Sequence, residues 1–275
     1  MDVEVWLNKS VDESASFYFE KAKKARKKIE GIEKAISESE AKLQEQEEKI
    51  FAKEQKDEEK TKQKSKPRKT EWYEKFHWFF TSEGKLVIGG RDATTNEAVI
   101  KKHTEPNDLV FHTDMSGSPF MVIKSEGKPI MDIEKEETAE FLACYSRAWK
   151  AGISSIEVLY VNPDQVTKEA KAGEYLSKGS FMIKGKTNYI NAVLRLCIAV
   201  VDDVVYAGPQ TAIRTMLSRK FPAAEKKDID RMYVKVLQGT AKASQIAKEI
   251  KKALGSGHVD DIIRVLPTGG CRLGK

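Results

Sequence analysis

The chain has 275 residues and a mass of 31.0 kDa, with 48 Lys and Arg against 42 Asp and Glu, for a net charge of +6 with His neutral. This length suits one large or two modest domains. No stretch approaches the roughly 18 uninterrupted apolar residues of a membrane helix, and the N-terminus lacks the basic and then apolar order of a signal peptide. We therefore expect a soluble cytoplasmic protein.

Residues 1–66 are predicted to form a coiled-coil arm. Ser10 and Glu13 have the spacing of a capping box, which opens a helix by satisfying its first backbone amides. A heptad seam flanked by Glu and Lys follows, at steps of four and three residues. Its members are Tyr18, Ala22, Ala25, Ile29, Ile32, Ile36, Ser39, Leu43, Gln46 and Ile50. The seam predicts coiled-coil self-association, or pairing with another protein or with an upstream helix outside this chain; a solvated charged helix is the alternative.

A basic run follows the arm. Pro67 ends the helix, and six cations without an acid lie around it: Lys60, Lys62, Lys64, Lys66, Arg68 and Lys69. Such a run either contacts phosphate by releasing counterions or serves as a solubilising linker.

Residues 67–190 and 191–275 are predicted to form one α+β body with a mixed sheet and packed helices, the second range being a basic extension packed on the first. Strand-like runs, such as 193–201, alternate irregularly with helical stretches, such as 136–150. The six aromatics of 72–80 favour a core anchor over base stacking. The extension holds 15 basic and 8 acidic residues, which favours a polyanionic partner over a merely soluble surface.

The cysteines predict packing rather than chemistry. Cys144, Cys197 and Cys271 are isolated, with no CxxC motif and no Cys/His pair at zinc-ligand spacing. Cys144 and Cys197 fall in apolar stretches, as free core cysteines do. No metal, cofactor or disulfide is predicted.

Four stretches resemble successive motifs of the NFACT RNA-binding domain, called NFACT-R. They are WYEKFHWFFTSEGKLVIGGRDATTNE (72–97), NDLVFHTDMSGSPFMVIK (107–124), ACYSRAWKAG (143–152) and AGEYLSKGSFMIKGKTN (172–188). Residues 3–31 resemble the start of the coiled coil that precedes this domain. The family comprises ribosome quality-control factors that bind large ribosomal subunits carrying stalled peptidyl-tRNA. The resemblance implies an RNA-binding, ribosome-associated protein without catalysis of its own, whose partners are the large ribosomal subunit and tRNA, ribosomal RNA or both.

Two departures from the family pattern bear on this expectation. The family's N-terminal NFACT domain and helix-hairpin-helix modules are not among these residues, so we expect a separate partner to supply them and no full peptide tailing by this chain alone. A stretch that commonly reads GDIYVHADxHGA is NDLVFHTDMSGSP here, with Asn107 replacing the first Gly and Ser116 the second His. If that loop touches RNA, its contacts differ from the family's.

Eight residues are candidate RNA contacts. Lysines with Gln and Asn in or just before the 172–188 motif suit phosphate and sugar contacts, which position RNA without reading its sequence. Arg91, which follows two glycines, suits a phosphate contact oriented by Asp92 or a structural ion pair. The set is Arg91, Lys101, Lys102, Gln165, Lys168, Lys184, Lys186 and Asn188. Ordinary solvated lysines are the alternative.

A second group is predicted to shape the loops of the site, chiefly as turn residues. It comprises Gly89, Gly90, Asp92, His112, Asp114, Gly117, Gly173, Glu174, Gly179 and Gly185. His112 and Asp114 share a strand face, so an RNA-processing hydrolase with a general base there is a second hypothesis, although no nucleophile or metal-ligand motif stands beside them. An adaptor that presents tRNA to a modification enzyme is a third.

Overall fold

The computed structural model describes residues 10–32, 36, 39, 70–169 and 177–274. They fall into two units, one within 1–69 and one over 70–275. None of the helices in these ranges is long and apolar enough to cross a membrane.

The first unit contains helix α1, residues 11–32. The predicted capping box opens it: the backbone N–H of Ser10 donates to Glu13 Oε2 over 2.9 Å, and the Glu13 N–H donates to Ser10 Oγ over 3.3 Å. Both bonds satisfy amides that the helix itself leaves unpaired, so this prediction is confirmed.

Part of the predicted heptad seam is visible on this unit. Ile29, Ile32 and Ile36 are 55%, 50% and 53% exposed. Their apolar side chains therefore remain half accessible, as expected of a stripe that another helix covers. The seam beyond residue 39 and the basic run at 60–69 lie outside the described residues.

The second unit is an α+β body, as predicted. Its described strands are β1 His77–Phe80, β2 Leu86–Gly89, β3 Leu109–His112, β4 Met121–Ile123, β5 Ser155–Val161, β6 Val166–Thr167, β7 Met182–Ile183, β8 Asn188–Val193, β9 Leu196–Val201, β10 Val204–Gly208, β11 Tyr233–Ala241 and β12 Cys271–Leu273.

Helices pack on these strands. They are α2 Ala93–Lys102, α3 Asp132–Cys144, α4 Arg147–Ala151, α5 Gln210–Lys220, α6 Lys226–Ile229, α7 Ala243–Leu254 and α8 Val259–Val265, with short 3-10 helices at Trp72–Lys75 and Pro163–Gln165.

The strands form three sheets. Six strands pair in the order β1-β2-β4-β3-β5-β8, four in the order β10-β9-β11-β12, and β6 pairs with β7 alone. Every described pair is antiparallel, where the sequence predicted a mixed sheet. Antiparallel pairing needs no helical crossover, which is why strands and helices alternate irregularly along the chain.

The largest core crosses residue 190. Phe111 and Trp149, from the larger sheet side, belong to the same buried cluster as Leu196 and Ile250, from the four-stranded sheet and α7. Burial of apolar surface is the main favourable term in folding. Residues on both sides of position 190 are therefore stabilised by the same packing.

The aromatic run and the cysteines pack as predicted. Phe76 and Phe79 are 0% and 2% exposed, whereas Trp72 at the start of the run remains 48% exposed. Cys144 and Cys197 are free and buried.

Two predicted elements divide in the structure. The helical stretch 136–150 breaks at Ser146, whose Oγ accepts the N–H of Ala148 over 3.2 Å and so caps a second helix. The strand-like run 193–201 is interrupted between Val193 and Leu196, so that β8 pairs with β5 in one sheet and β9 pairs with β10 and β11 in another. Both breaks lie inside apolar runs whose periodicity does not reveal them.

Candidate nucleic-acid interface

The two-stranded sheet β6–β7, here called the basic ribbon, carries four of the predicted RNA contacts at or next to its strands. Val166 pairs with Ile183 and Thr167 with Met182. The side-chain amide of Gln165 donates to the carbonyl oxygens of Lys184 and Lys186, each over 2.9 Å. Gln165 is therefore committed to the backbone of the ribbon, and its role is to hold the segment that presents the two lysines.

The three lysines of the basic ribbon differ in the side chains that they contact. Lys184 pairs with Glu169 over 2.7 Å, and both side chains are more than half exposed. Lys168 Nζ lies 3.5 Å from a Glu97 oxygen and 5.3 Å from the ring centroid of Phe181. The exposed pair of Lys184 and Glu169 contributes little to stability, whereas the pair of Lys168 and Glu97 is partly buried. Lys186 is exposed and has no ion pair among the described residues.

Helix α2 contacts the ribbon through Glu97, which lies near Lys168. This carboxylate contacts Lys101 Nζ over 2.6 Å as well as Lys168, and the Lys101 hydrogen bond holds the pKa of Glu97 below its usual value. Lys102 is exposed at the end of α2. Asn188 is exposed at the first position of β8, opposite Tyr160.

A pocket of about 420 Å³, here called the Arg91 pocket, brings together six of the predicted residues. They are Gly90, Arg91, Asp92, His112, Gly117 and Gly179. The wall also contains residues that the sequence analysis did not assign to the site: His77, Ala93, Asn96, Ser116, Ser118, Pro119, Phe120, Tyr145, Lys178, Ser180, Phe181, Leu266 and Thr268. Phe181 joins the pocket to the basic ribbon, because its ring also lies under Lys168.

Arg91 is anchored in the wall of this pocket. Its Nη1 donates to Arg264 O over 2.6 Å and its Nη2 to Phe76 O over 2.9 Å, while its Nε is buried without a partner among the described residues. Burial lowers the pKa of Arg91. Two backbone carbonyls thus fix the plane of the guanidinium.

The predicted orientation of Arg91 by Asp92, and the alternative of an ion pair between them, are both wrong. The Asp92 carboxylate accepts the N–H of Thr95 over 2.8 Å and caps α2. This hydrogen bond from the Thr95 backbone is the main reason that the pKa of Asp92 is lowered. Asp92 is the N-cap residue of α2, so its carboxylate lies next to the first helix amides. It therefore bonds to these amides and not to the guanidinium of Arg91.

His112 is held by its neighbours rather than by Asp114. Its Nδ1 donates to Pro119 O over 3.0 Å, and its ring stacks on Phe120 with centroids 3.9 Å apart. Burial lowers the pKa of His112, so the ring is neutral near pH 7. Asp114 is exposed, no hydrogen bond joins it to His112, and it lies outside the pocket wall. His112 and Asp114 thus form no hydrogen-bonded acid–base pair in this structure.

Several of the predicted glycines allow a turn or a close contact near the pocket and the basic ribbon. Gly179 has φ +79°, and a Cβ there would lie 2.6 Å from the carbonyl oxygen of Ala93, so the loop can rest on α2 only with glycine. Gly185 has φ +82° in the ribbon. Gly89 packs against Met121, and Gly117 packs against Arg147. Gly173 and Glu174 lie outside the described residues.

His77 and Lys178 are the most informative residues that sequence reasoning missed. His77 stacks on Tyr145 with centroids 3.9 Å apart, and its position inside an aromatic run made it look like packing. Lys178 is exposed and, within the described part of the chain, has no hydrogen bond or ion pair. It lies inside the 172–188 motif, which could have been used to find it.

Groups of three or more His, Cys, Asp or Glu side chains that could hold a metal ion do not occur among the described residues. The chemistry of the ribbon and pocket is instead that of exposed ammonium groups, a fixed guanidinium and aromatic rings. These are the groups that contact phosphates and bases.

The family model described as the NFACT protein RNA binding domain matches residues 75–185. Residues 75–185 therefore resemble this domain. The domain spans β1 to β7 and holds the basic ribbon and most of the pocket wall, whereas Leu266 and Thr268 enter that wall from outside the matched range. The resemblance stated from the motifs is confirmed.

Three curated proteins are similar to most of this chain. The archaeal Rqc2 homolog aRqcH of Methanocaldococcus jannaschii is 40% identical over 219 residues, which are 77% of this chain and 31% of that protein. The ribosome quality control complex subunit NEMF of Homo sapiens is 38% identical over 170 residues, 62% of this chain and 15% of that protein. Ribosome quality control complex subunit 2 of Schizosaccharomyces pombe is 30% identical over 198 residues, 71% of this chain and 18% of that protein. The chain thus spans less than a third of the length of these relatives.

A solved structure, the C-terminal part of the fibronectin/fibrinogen-binding protein from Streptococcus suis, is weakly similar. It is 18% identical with a TM-score of 0.38, over 48% of this chain and 50% of that one.

Proposed function

We propose that this protein is an RNA-binding, ribosome-associated factor of the ribosome quality-control type, which contacts tRNA, ribosomal RNA or both on the large ribosomal subunit during rescue of stalled translation in the cytoplasm. The observation that carries the proposal is the NFACT RNA-binding domain at 75–185. The process is proposed from the relatives, which are an Rqc2 homolog and subunits of the ribosome quality control complex.

The geometry of the basic ribbon supports backbone contact with RNA. Lys168, Lys184 and Lys186 are carried on a small sheet that Gln165 braces, so their ammonium groups are held on a fixed backbone. Contacts to phosphate position a nucleic acid without reading its sequence. Phosphate contacts of this kind suit a ribosomal partner, which must be recognised whatever message is being translated.

The C-terminal extension adds charge to the same body. Residues 191–275 contain 15 basic and 8 acidic residues, and Lys251 and Lys252 are exposed on α7. A basic lobe attracts a polyanion over several ångströms and raises the rate of encounter. We assign the extension a supporting electrostatic role beside the NFACT domain.

The arm is proposed to orient the body through a second helix. Its half-exposed isoleucines suit a partner helix, supplied by another copy of this chain or by a separate protein with the family's N-terminal NFACT domain. We propose no catalysis by the NFACT-R body. The observed contacts of His112 are structural, because its Nδ1 donates to Pro119 O and its ring stacks on Phe120.

Sedimentation with purified large ribosomal subunits tests this function. The full chain should pellet with the subunits at low salt and be released as salt rises, because phosphate contacts depend on counterion release. The charge-reversed variant Lys184→Glu with Lys186→Glu should stay in the supernatant, whereas Lys128→Glu, an exposed lysine of a turn on the same body, should still pellet. Pelleting that is the same for all three proteins, or no pelleting of the wild-type chain at low salt, would contradict the proposal.

A further inference from the structure

Two buried polar atoms in the wall of the Arg91 pocket have no hydrogen-bond partner among the described residues. They are Arg91 Nε and His77 Nδ1. Folded proteins pair nearly all their buried polar atoms, so an unpaired one requires an explanation, and a ligand or an ordered water is one that suits an atom in a pocket wall. Arg91 already donates to Arg264 O and Phe76 O, which uses two of the five N–H donors of its guanidinium, and Nε is among the donors left without a partner.

The charges of the wall favour an anion. Lys178 is exposed, and Arg91 adds a fixed guanidinium. Asp92 is the single carboxylate among the lining residues, and it is engaged by the Thr95 amide. Lys178 lies near enough to Asp92 to help lower the pKa of its carboxyl group, so the wall holds two cations against one carboxylate and keeps a net positive charge. The start of helix α2 is satisfied by Asp92 and is not the source of the attraction.

The rest of the wall is neutral, and it contains aromatic rings as well as small and polar side chains such as Asn96 and Ser116. His112 stacks on Phe120, and Phe181 meets Phe120 edge-on with centroids 5.4 Å apart. Burial, followed by the charge of Arg91, holds the pKa of His77 well below its usual value, so His77 is a neutral imidazole that can pair with a hydroxyl or a base edge. The volume of about 420 Å³ lies within the usual range of small-ligand pockets, about 300–1,000 Å³.

We propose that the Arg91 pocket binds one phosphorylated nucleotide of single-stranded RNA, with its phosphate toward Arg91 and Lys178 and its base against the aromatic wall. The inference rests on the proposed function and names the unit of RNA that the body takes. A helical RNA keeps its bases stacked and presents its backbone, so it contacts the basic ribbon without entering the pocket. An unpaired nucleotide can do both, because Phe181 is shared by the ribbon and the pocket.

Calorimetric titration of the full chain with 5′-AMP, 5′-CMP, 5′-GMP and 5′-UMP tests the pocket directly. At least one nucleotide should bind saturably, and the matching nucleoside and inorganic phosphate should each bind at least about tenfold more weakly, since each lacks one half of the contacts. Lys178→Ala should weaken nucleotide binding about tenfold because a charge-assisted contact is lost.

The variant Thr268→Trp fills the pocket from an exposed wall position and should abolish nucleotide binding. Lys128→Ala, an exposed lysine outside the pocket wall, should bind as the wild-type chain does. Unfolding curves of each variant check that the fold is kept. Absence of saturable binding for all four nucleotides, or binding that Thr268→Trp leaves intact in a folded protein, would overturn the inference.

A second titration separates this inference from the proposed function. An RNA hairpin with a four-nucleotide single-stranded 3′ overhang should bind the chain about tenfold more tightly than the same hairpin without it. Thr268→Trp should remove this preference, while Lys184→Ala with Lys186→Ala should weaken both hairpins equally. Equal binding of both hairpins by the wild-type chain would refute the pocket and leave the proposed function standing. Binding of free nucleotides without binding of either RNA would support the pocket and contradict the proposed function.

Discussion

Gln165 holds Lys186 in place by a side-chain to backbone hydrogen bond, with the amide nitrogen 2.9 Å from the Lys186 carbonyl oxygen. The same amide group contacts the Lys184 carbonyl. A neutral residue thus fixes the segment that carries two charged ones. Gln165 positions the lysines, whereas the lysines carry the charge. Substitutions at Gln165 and at the lysines therefore test the two contributions separately.

Gln165→Ala should weaken RNA binding without changing its electrostatics. The substitution removes the two bonds to the lysine carbonyls and the bond that Gln165 Oε1 accepts from the Asn162 N–H, and about 0.5–1.5 kcal/mol per bond then opposes binding because the segment must be ordered again. The slope of log affinity against log salt should stay as in the wild-type chain, since no cation is removed. Filter binding over a salt series measures both quantities. Gln245→Ala, on the exposed face of α7, serves as the control and should change neither; a shallower slope for Gln165→Ala would count against a bracing role.

Gly179→Ala should be more destabilising than Gly127→Ala. Both glycines have positive φ, +79° and +75°, so the backbone strain is similar. A Cβ at Gly179 would also collide with the backbone of Ala93, whereas no heavy atom lies within 4 Å of one at Gly127. We expect a loss of about 1 kcal/mol at Gly127 and about 2–4 kcal/mol at Gly179 in the free energy of unfolding by urea. Equal losses would show that the loop is not seated on α2.

Stability of the body should fall below pH 6.5 in part because of His77. Its folded pKa is depressed, mainly by burial, so the stabilisation is complete above the unfolded pKa of about 6.5 and is lost as the pH falls below it. The loss approaches about 1.4 kcal/mol per pH unit for one such group. His77→Phe keeps a ring against Tyr145 and should reduce the slope of unfolding free energy between pH 6.5 and 5. Some slope should remain, because the pKa of His112 and that of His103 are also lowered by burial. Identical slopes for the two proteins would contradict a buried neutral His77.

The arm should self-associate or pair through its isoleucine face. Replacing Ile29 and Ile32 by Asn places polar groups in the seam and should shift a wild-type oligomer to monomer in sedimentation velocity. Lys27→Asn with Lys28→Asn changes the same helix outside the seam and is the matched control. A wild-type chain that is monomeric at high concentration would refute self-pairing and leave a separate partner helix as the alternative.

Much of the fold follows from local pattern. The apolar face of α7, with Ile246, Ala247 and Ile250, is buried as its helical spacing predicts. The break between β8 and β9 is not visible in the sequence, because β5 and β11, which lie far away along the chain, decide where each strand pairs. Local periodicity identifies the apolar face of an element, but distant partners set its ends.

Part of the candidate site could likewise be predicted from the sequence, and part of it could not. The lysines of the ribbon lie in or just before one motif, so the sequence alone predicts them as candidate contacts. The Arg91 pocket cannot be read from spacing, because Arg91 is fixed by Phe76 on one side and by Arg264, 173 positions away, on the other. His77 is an example of a residue that looks like core packing until its unpaired nitrogen is seen in the wall of a pocket.

The most direct measurement is filter binding of tRNA by the full chain across a salt series, comparing the wild-type protein with Lys184→Ala plus Lys186→Ala and with the control Lys128→Ala. The double variant should lose about 1–3 kcal/mol of binding free energy and show a slope of log affinity against log salt that is shallower by about 1 to 2, while the control matches the wild-type protein. Unchanged affinity and slope in the double variant would contradict RNA recognition by the basic ribbon.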